Sequence, residues 1–424
     1  MTTGTPKTKA ALEHAGNMAM ERRELKALKQ LEEKFRFSHQ QLKQTAEWMV
    51  DCRMWDEPSF PKGLAAALKD VQMERRGLTI TQQRTLLFQS LKKQYQKIRG
   101  KEKQYPSRGR KQILPHYRIE DKELKGRFYR QCQAHSELGV CCGLRVLNLV
   151  DNCAMDCAYC ILQNHYDQAV VRIPVNLKRK LASLKIPTRE RLRIGTGEHT
   201  DSLLWGNRNG MLTDLCGFAG AHPNIILELK TKSDNIGFFL KNQVPANVCC
   251  AWTLNTQTVI THEEHKTSGL KGRLKAARRI ADRGIKVGFH LHPMVYYRGW
   301  QKEYRELIQL VISMFDPHEV LWFSLGTITV IKDLESRLRK TFRNSKILQM
   351  ESELTPDKKT TYAYPVRKKL YDNALEALEP WTGMVVQYLC MEFPPMWKEV
   401  MGCTFEDKDG LNKAINESAF AKLK

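Results

Sequence analysis

Three cysteines fall within one short stretch, Cys153-Ala-Met-Asp-Cys157-Ala-Tyr-Cys160, directly after the apolar run Leu144 to Val150. That spacing lets a single loop offer three thiolates to one 4Fe-4S cluster and leaves the fourth iron without a protein ligand. An iron left open in this way is a place for chemistry. Two simpler uses of the cysteines fit less well. Structural zinc usually takes its ligands in two separated pairs, and no second Cys-x2-Cys pair follows downstream. A disulfide framework belongs to an oxidising compartment, whereas the N-terminus carries no apolar block of a secretory leader and the other cysteines are scattered.

Three cysteines and one open iron are the pattern of radical S-adenosylmethionine (SAM) chemistry. The amino and carboxylate groups of SAM chelate the free iron, and an electron from the cluster splits the sulfonium to a 5'-deoxyadenosyl radical. Further along, Gly195-Thr196-Gly197-Glu198-His199-Thr200-Asp201-Ser202 places two glycines where a backbone can approach a ligand closely. Glu198, Asp201 and Ser202 there can accept from an ammonium or hydroxyl group. Such a turn is more often structural when it stands alone. In Glu228-Leu229-Lys230-Thr231-Lys232, a lysine at a strand end can pair with a carboxylate; a surface lysine explains it equally well in isolation. Trp252-Thr253-Leu254-Asn255 offers two small polar groups, and Gly288-Phe289-His290-Leu291-His292-Pro293 sets two histidines on one side of a strand. No third ligand has a claim to that pair, so packing or substrate contact is expected of it.

These residues need a scaffold, and the remainder of the chain supplies one. Its 424 residues, 42% of them hydrophobic, can hold one large domain and an appendage. No apolar stretch approaches the roughly 20 residues of a membrane span, so a cytoplasmic protein with no membrane partner is expected. The formal charge of +23 points to an acidic partner, nucleic acid ahead of an anionic membrane surface. Residues 1–130 hold 29 Lys and Arg against 15 Asp and Glu, although a merely solvated face would look similar. Apolar positions Met18, Leu25, Leu28, Leu31 and Phe35, then Leu42, Ala46, Met49 and Val50, recur at helical intervals before a break at Pro58 and Pro61. A third helix, opened by Thr81 as N-cap, carries Leu86, Leu87 and Leu91 and turns basic toward Lys97 and Arg99. Tyr105 to Pro115 reads as an exposed basic linker suited to a phosphate backbone.

From about residue 140 short apolar runs alternate with helical patterns. Candidate strands are Leu144 to Val150, Leu192 to Gly195, Ile225 to Leu229, Cys250 to Leu254, Ile285 to His290, Val320 to Leu325 and Val385 to Leu389. Leu270 to Arg283, closed by Gly284, is the clearest helix between them. Parallel strands joined by crossover helices follow. The notable residues fall just after strand ends, which favours a closed or partial barrel; pattern alone also allows a doubly wound sheet.

In order, the cysteine loop, Arg193 to Glu198, Leu227 to Lys232, Trp252 to Asn255, Gly288 to His290, Gly299-Trp300 with Tyr304, Ser324 to Thr327 and Tyr388 to Glu392 resemble the spore photoproduct lyase family. These are radical SAM enzymes that reverse a methylene-bridged thymine dimer in DNA. The resemblance covers about three-fifths of the chain. It implies an α/β fold, a partial (β/α)6 TIM-like barrel over residues 131–424 behind a helical basic extension over 1–130. It implies that Cys153, Cys157 and Cys160 hold the 4Fe-4S cluster and that Tyr159 shields it. Asp201 and Ser202 are then placed near the SAM methionyl group, Lys232 at its carboxylate, and Thr253 and Asn255 beside the cofactor, with Gly197 and Glu198 among the expected cofactor-binding residues.

Two departures stand out. Family members carry a hydrogen-donating cysteine at about the Glu198 to Thr200 position and a tyrosine just after the third cluster cysteine, where this chain has Ile161. Another group must therefore quench the substrate radical: Cys141, Cys142, Cys249, Cys250 or Cys390, each of which taken singly reads as a buried small hydrophobe, or SAM recycling itself. The reading is a cytoplasmic radical SAM lyase acting on a photoproduct in DNA, supplied with electrons by a flavodoxin or ferredoxin. Lys92, Lys93, Lys97, Arg99, Arg108 and Arg110 are its expected nucleic-acid contacts. Its rivals are radical SAM modification of RNA or a nucleotide, a nucleic-acid-binding protein with a structural or redox-sensing cluster, and a zinc-stabilised RNA-binding module.

Overall fold

The structure, a computed structural model, describes residues 20–57, 77–110, 112–133, 135–165, 169–405 and 409–423. Met18, the Pro58 and Pro61 break and Lys111 lie outside them. The chain divides into two compact units, Met1–Gln112 with Ile331–Ser352, and Ile113–Val330 with Glu353–Lys424.

In the first unit, α1 (Arg22–Phe35) ends on Arg36 in the left-handed region and buries Leu28, Leu31 and Phe35. α2 (His39–Met54) starts from a capping box of Ser38 and Gln41. α3 (Ile80–Arg99) is capped by Thr79, not by Thr81. Gln82 stands three residues after Thr79 and closes the reciprocal box, its Oε1 accepting from the Thr79 amide at 2.9 Å; Thr81 has Arg84 at that place, which cannot accept. The ring of Trp48 stacks on Tyr95 at 5.2 Å, and Trp55 follows at 5.9 Å. Beside them buried Asp51 accepts from Tyr95 Oη at 2.7 Å and pairs with both arms of Arg339 at 2.8 and 2.9 Å. That arginine comes from the helix Lys332–Thr341, which is how a distant segment joins the N-terminal helices.

The second unit is built on one sheet of eight strands. In chain order they are β1 (Tyr129–Gln131), β2 (Arg145–Leu147), β3 (Leu192–Thr196), β4 (Ile225–Thr231), β5 (Val248–Thr253), β6 (Val287–Met294), β7 (Val320–Thr327) and β8 (Val386–Leu389), and they lie side by side in the order β8 to β1. β2 through β8 are parallel, and β1 runs antiparallel at the edge. Every residue of β5 and β7 is buried, as expected of strands covered on both faces. An isolated antiparallel bridge between Val140 and Glu392 joins the two edges of the sheet, so the sheet curls into a partial barrel. α4 (Leu270–Ala281) is one of the outer helices and packs Leu274, Ala277 and Ile280 inward. α5 (Gly410–Ala421) closes the N-terminal ends of the strands: Asn416 Nδ2 donates to the Arg191 carbonyl at 2.9 Å, and Lys422 Nζ to those of Pro317 and Val320 at 2.7 and 2.6 Å.

Candidate active site

The cysteine loop follows β2 and is fastened on three sides. Cys153 N donates to Asn152 Oδ1 at 2.8 Å, Ala158 N to the Glu263 carbonyl at 2.8 Å, and Lys266 N to the Met155 carbonyl at 3.1 Å. Asp156, in the left-handed region at φ 49°, accepts from Tyr117 Oη at 2.6 Å and pairs with Lys266 at 2.9 Å. The loop is thereby shaped without using any thiol. Cys153, Cys157 and Cys160 line an open cavity of about 590 Å³ together with Gly197, Asp201 and Lys232.

Behind Cys157 lies a fully buried ion pair. Glu264 pairs with Arg273 and accepts from Tyr159 Oη, while Arg273 also donates to the Thr253 and Ser268 carbonyls at 2.8 Å each. Burial works to push the Glu264 carboxyl up, but Arg273 and Lys232 hold it below its ordinary value. Lys232 Nζ stands 5.8 Å from the centre of the Tyr159 ring. Burial works to lower its ammonium, which the charges of Cys157 and Glu264 hold in the protonated state. A cation is thus fixed beside three thiols at the C-terminal end of β4.

The turn after β3 is a brace. Gly197 has φ +93°, and a Cβ there would meet the Lys230 carbonyl and Ser202 Oγ at 2.8 Å, so no other residue fits. Asp201 Oδ1 accepts from Leu203 N, Leu204 N and Thr231 Oγ1 at 2.8 to 2.9 Å, and Oδ2 from Lys232 N at 2.6 Å. It lines the cavity as the staple that sets Lys232 in place. Ser202 shares a hydrogen bond of 2.6 Å with Thr196 and faces away from the thiols. Glu198 is in the cavity wall, and its carboxylate accepts from Gln133 N at 2.5 Å and Asn148 Nδ2 at 3.1 Å. Thr253 lines the cavity. Asn255 does not: its Oδ1 accepts from Tyr304 Oη at 2.7 Å and its Nδ2 donates to the Pro293 carbonyl at 2.8 Å, so it braces the end of β5 against β6 and the helix that follows it.

Inside the barrel, His290 Nε2 lies 2.7 Å from Glu228 Oε1 and Ser324 Oγ 2.8 Å from His292 Nε2. Cys141, Cys142 and Cys390 line a separate cavity. In the first unit Lys92, Lys93, Lys97 and Arg108 are exposed, whereas Arg99 pairs with Glu335 at 3.5 Å and Arg110 with Asp56 at 2.8 Å. The collar of Glu264, Arg273, Tyr117 and Asp156 carried no signal at the sequence level. Glu264 lies 105 positions from Tyr159, and only the fold brings them together.

A parallel half-barrel with a three-thiol loop at the C-terminal ends of its strands defines an enzyme of the radical SAM class. Residues 144–394 match the family model described as spore photoproduct lyase. The match takes in more than half of the chain, and the chain belongs to the spore photoproduct lyase family. A relative named spore photoproduct lyase from Clostridium acetobutylicum is 28% identical over 231 residues, which is 53% of this chain and 68% of that protein. One of the same name from a Geobacillus species is 29% identical over 166 residues, 38% of this chain and about half, 49%, of its own. A solved spore photoproduct lyase complexed with dinucleoside spore photoproduct has a TM-score of 0.53 at 23% identity, over 58% of this chain and 75% of that one. Another, with bound AdoMet and dinucleoside spore photoproduct, reaches 0.51 at 23% identity over the same shares. At that identity the structural likeness is one of fold.

Proposed function

We propose that this protein is a radical SAM enzyme that repairs an ultraviolet pyrimidine photoproduct in DNA. The observation that carries the reading is the shared cavity of Cys153, Cys157, Cys160 and Lys232 at the strand ends. The donor set fits the expected groups: three thiols for a 4Fe-4S cluster, and one buried cation for the carboxylate of SAM. Bound there, cluster and SAM supply a 5'-deoxyadenosyl radical able to take a hydrogen atom from a base.

The chain's own residues position and protect. Lys232 holds the carboxylate by a charge-assisted hydrogen bond, set by the Asp201 staple. Tyr159, tethered to Glu264, covers the buried side of the thiols. Thr253 and the bare backbone of Gly197 leave room for the methionyl and ribose groups, with Glu198 at the rim. Cys141, Cys142 or Cys390 returns the hydrogen atom, since positions 198 to 200 hold no thiol. The exposed Lys92, Lys93, Lys97 and Arg108, with Arg99 and Arg110 where their ion pairs yield, grip phosphates so that the lesion can leave the stack. We place the protein in the cytoplasm with a flavodoxin or ferredoxin as electron donor; no described helix is long and apolar enough to cross a membrane.

The test is anaerobic incubation of cluster-loaded protein with reductant, SAM deuterated at the 5' carbon and irradiated DNA, with bulk transfer RNA in parallel. Repaired thymine and 5'-deoxyadenosine formation that depends on the irradiated DNA are expected. Stimulation by transfer RNA alone, or no SAM cleavage in a fully loaded protein, defeats the reading. For the basic surface, the Lys92/Lys93/Lys97→Gln variant should flatten the slope of log affinity against log salt by about 3; an unchanged slope removes those lysines from the interface.

A further inference from the structure

Four cysteines come together away from the SAM cavity. Cys132, Cys141, Cys142 and Cys390 line a second, open cavity of about 550 Å³, with His135 in its wall, and none of the four is in a disulfide. The segments carrying Cys142 and Cys390 meet at the antiparallel bridge of Val140 with Glu392, where Val140 N donates to the Glu392 carbonyl at 2.9 Å. Each cysteine lies two residues from that bridge, and both line the one cavity. A disulfide between them asks for Cα atoms roughly 4.4 to 6.8 Å apart. Cys141 cannot serve in the same way, because Cα atoms joined by a trans peptide are only about 3.8 Å apart. Its thiol instead hydrogen-bonds to Cys142.

The two partners also differ chemically. The Cys141 thiol pushes Cys142 down, with Arg193 and Lys230 adding to the effect against burial, and the Arg193 guanidinium donates to the Cys142 carbonyl. Burial pushes the Cys390 thiol up. Of the two, Cys142 is the sulfur more readily ionised for attack, and Cys390 the one held as a thiol.

We propose that Cys142 and Cys390 form a reversible dithiol/disulfide pair that reacts with a small disulfide of the glutathione class. Cys142 attacks one sulfur of the small disulfide to give a mixed disulfide and releases one thiolate. Cys390 then displaces the second thiolate and closes the disulfide. The protein gives up two electrons and two thiol protons, and the small disulfide becomes two thiols. The consequence rests on the proposed function: oxidation withdraws two of the candidate hydrogen donors from the barrel, so repair becomes dependent on redox poise.

The experiment equilibrates full-length, cluster-loaded protein anaerobically with glutathione and its disulfide at rising ratios, then alkylates free thiols and maps peptides by mass spectrometry. A Cys142 to Cys390 cross-link is expected, with both thiols lost from the alkylated pool together while buried Cys249 and Cys250 stay reduced. Cys390→Ser should accumulate one glutathione on Cys142. The proposal is overturned if wild-type Cys142 and Cys390 stay thiols at the most oxidising ratio, or if Cys142 is cross-linked elsewhere. A cross-link that forms while repair continues supports the redox pair and removes the donor role instead, so the two readings fail separately.

Discussion

Cys153, Cys157 and Cys160 reach their cavity from one loop, held in shape by backbone bonds, Asp156 and the Glu264–Arg273 pair, and they face the ammonium of Lys232. Cys142 and Cys390 reach theirs from the segment between β1 and β2 and from the end of β8, and Cys142 hydrogen-bonds to another thiol. The first arrangement leaves its sulfurs turned toward an external group, with the shaping done by other residues. The second turns its sulfurs toward one another. A cluster-holding role suits the former, and hydrogen-atom or thiol exchange the latter.

Substituting each set separately breaks this comparison most sharply. Cys157→Ala should abolish both bound iron above background and 5'-deoxyadenosine formation, read by metal analysis and chromatography. Cys142→Ser should leave iron and SAM cleavage near wild type yet lower repaired product per 5'-deoxyadenosine by about tenfold or more, because an alcohol O–H is a far poorer hydrogen-atom donor than a thiol. Loss of iron in Cys142→Ser, or full coupling, erases the distinction.

The two cavities also differ in how far the amino-acid pattern reveals them. The first is written in spacing, since a loop of three cysteines after an apolar run can be recognised without knowing what packs against it. All seven candidate strands recur within a few residues as β2 to β8, because buried parallel strands read as apolar runs. The second cavity is written in topology. Cys142 and Cys390 stand in the sequence as separate candidate donors, and nothing brings them to one cavity until the sheet curls. Local chemistry misled at Thr81, where the residue three places on decided the cap, and it could not show that the polar atoms of Asn255 and Ser202 have protein partners. The joining of Ile331–Ser352 to the N-terminal helices rests on Arg339 meeting Asp51, a long-range pair that no periodicity announces.

Next in size is the collar of the first cavity. Glu264→Gln leaves Arg273 buried without a counter-charge, and breaking such a pair costs about 3–5 kcal/mol. Urea denaturation of the cluster-free protein should show a lower midpoint, whereas an unchanged one means the pair is not needed to hold the loop. Smaller again is Lys232→Met, which keeps the stem and removes the charge. It should raise the SAM KM by about 10- to 100-fold, or about 1.4–2.7 kcal/mol, with iron content preserved. A fall in kcat alone would move Lys232 from binding to a later step.

The smallest expected effect concerns the barrel interior beside the second cavity. Burial and Lys230 hold His290 down to about 4, and it stays neutral at pH 7 against the Glu228 carboxylate. In the unfolded chain the same imidazole takes up its proton near its ordinary value of about 6.5. Between roughly pH 6.5 and 4 the unfolded state therefore binds more protons than the folded state, and stability rises with pH across that window. Glu228 adds to the trend lower down, since its carboxylate is kept ionised in the fold to about pH 2 against the pull of burial, with His290 and Lys230 lowering it. Urea midpoints measured at pH 7, 6 and 5 should fall in that order, and His290→Gln should flatten the decline. A wild-type midpoint constant over this range would mean that the folded and unfolded chains bind the same number of protons, so that His290 takes up its proton inside the fold as readily as in the unfolded chain, and below that point the positive field now assigned to Arg193 and Lys230 at Cys142 would include a third cation.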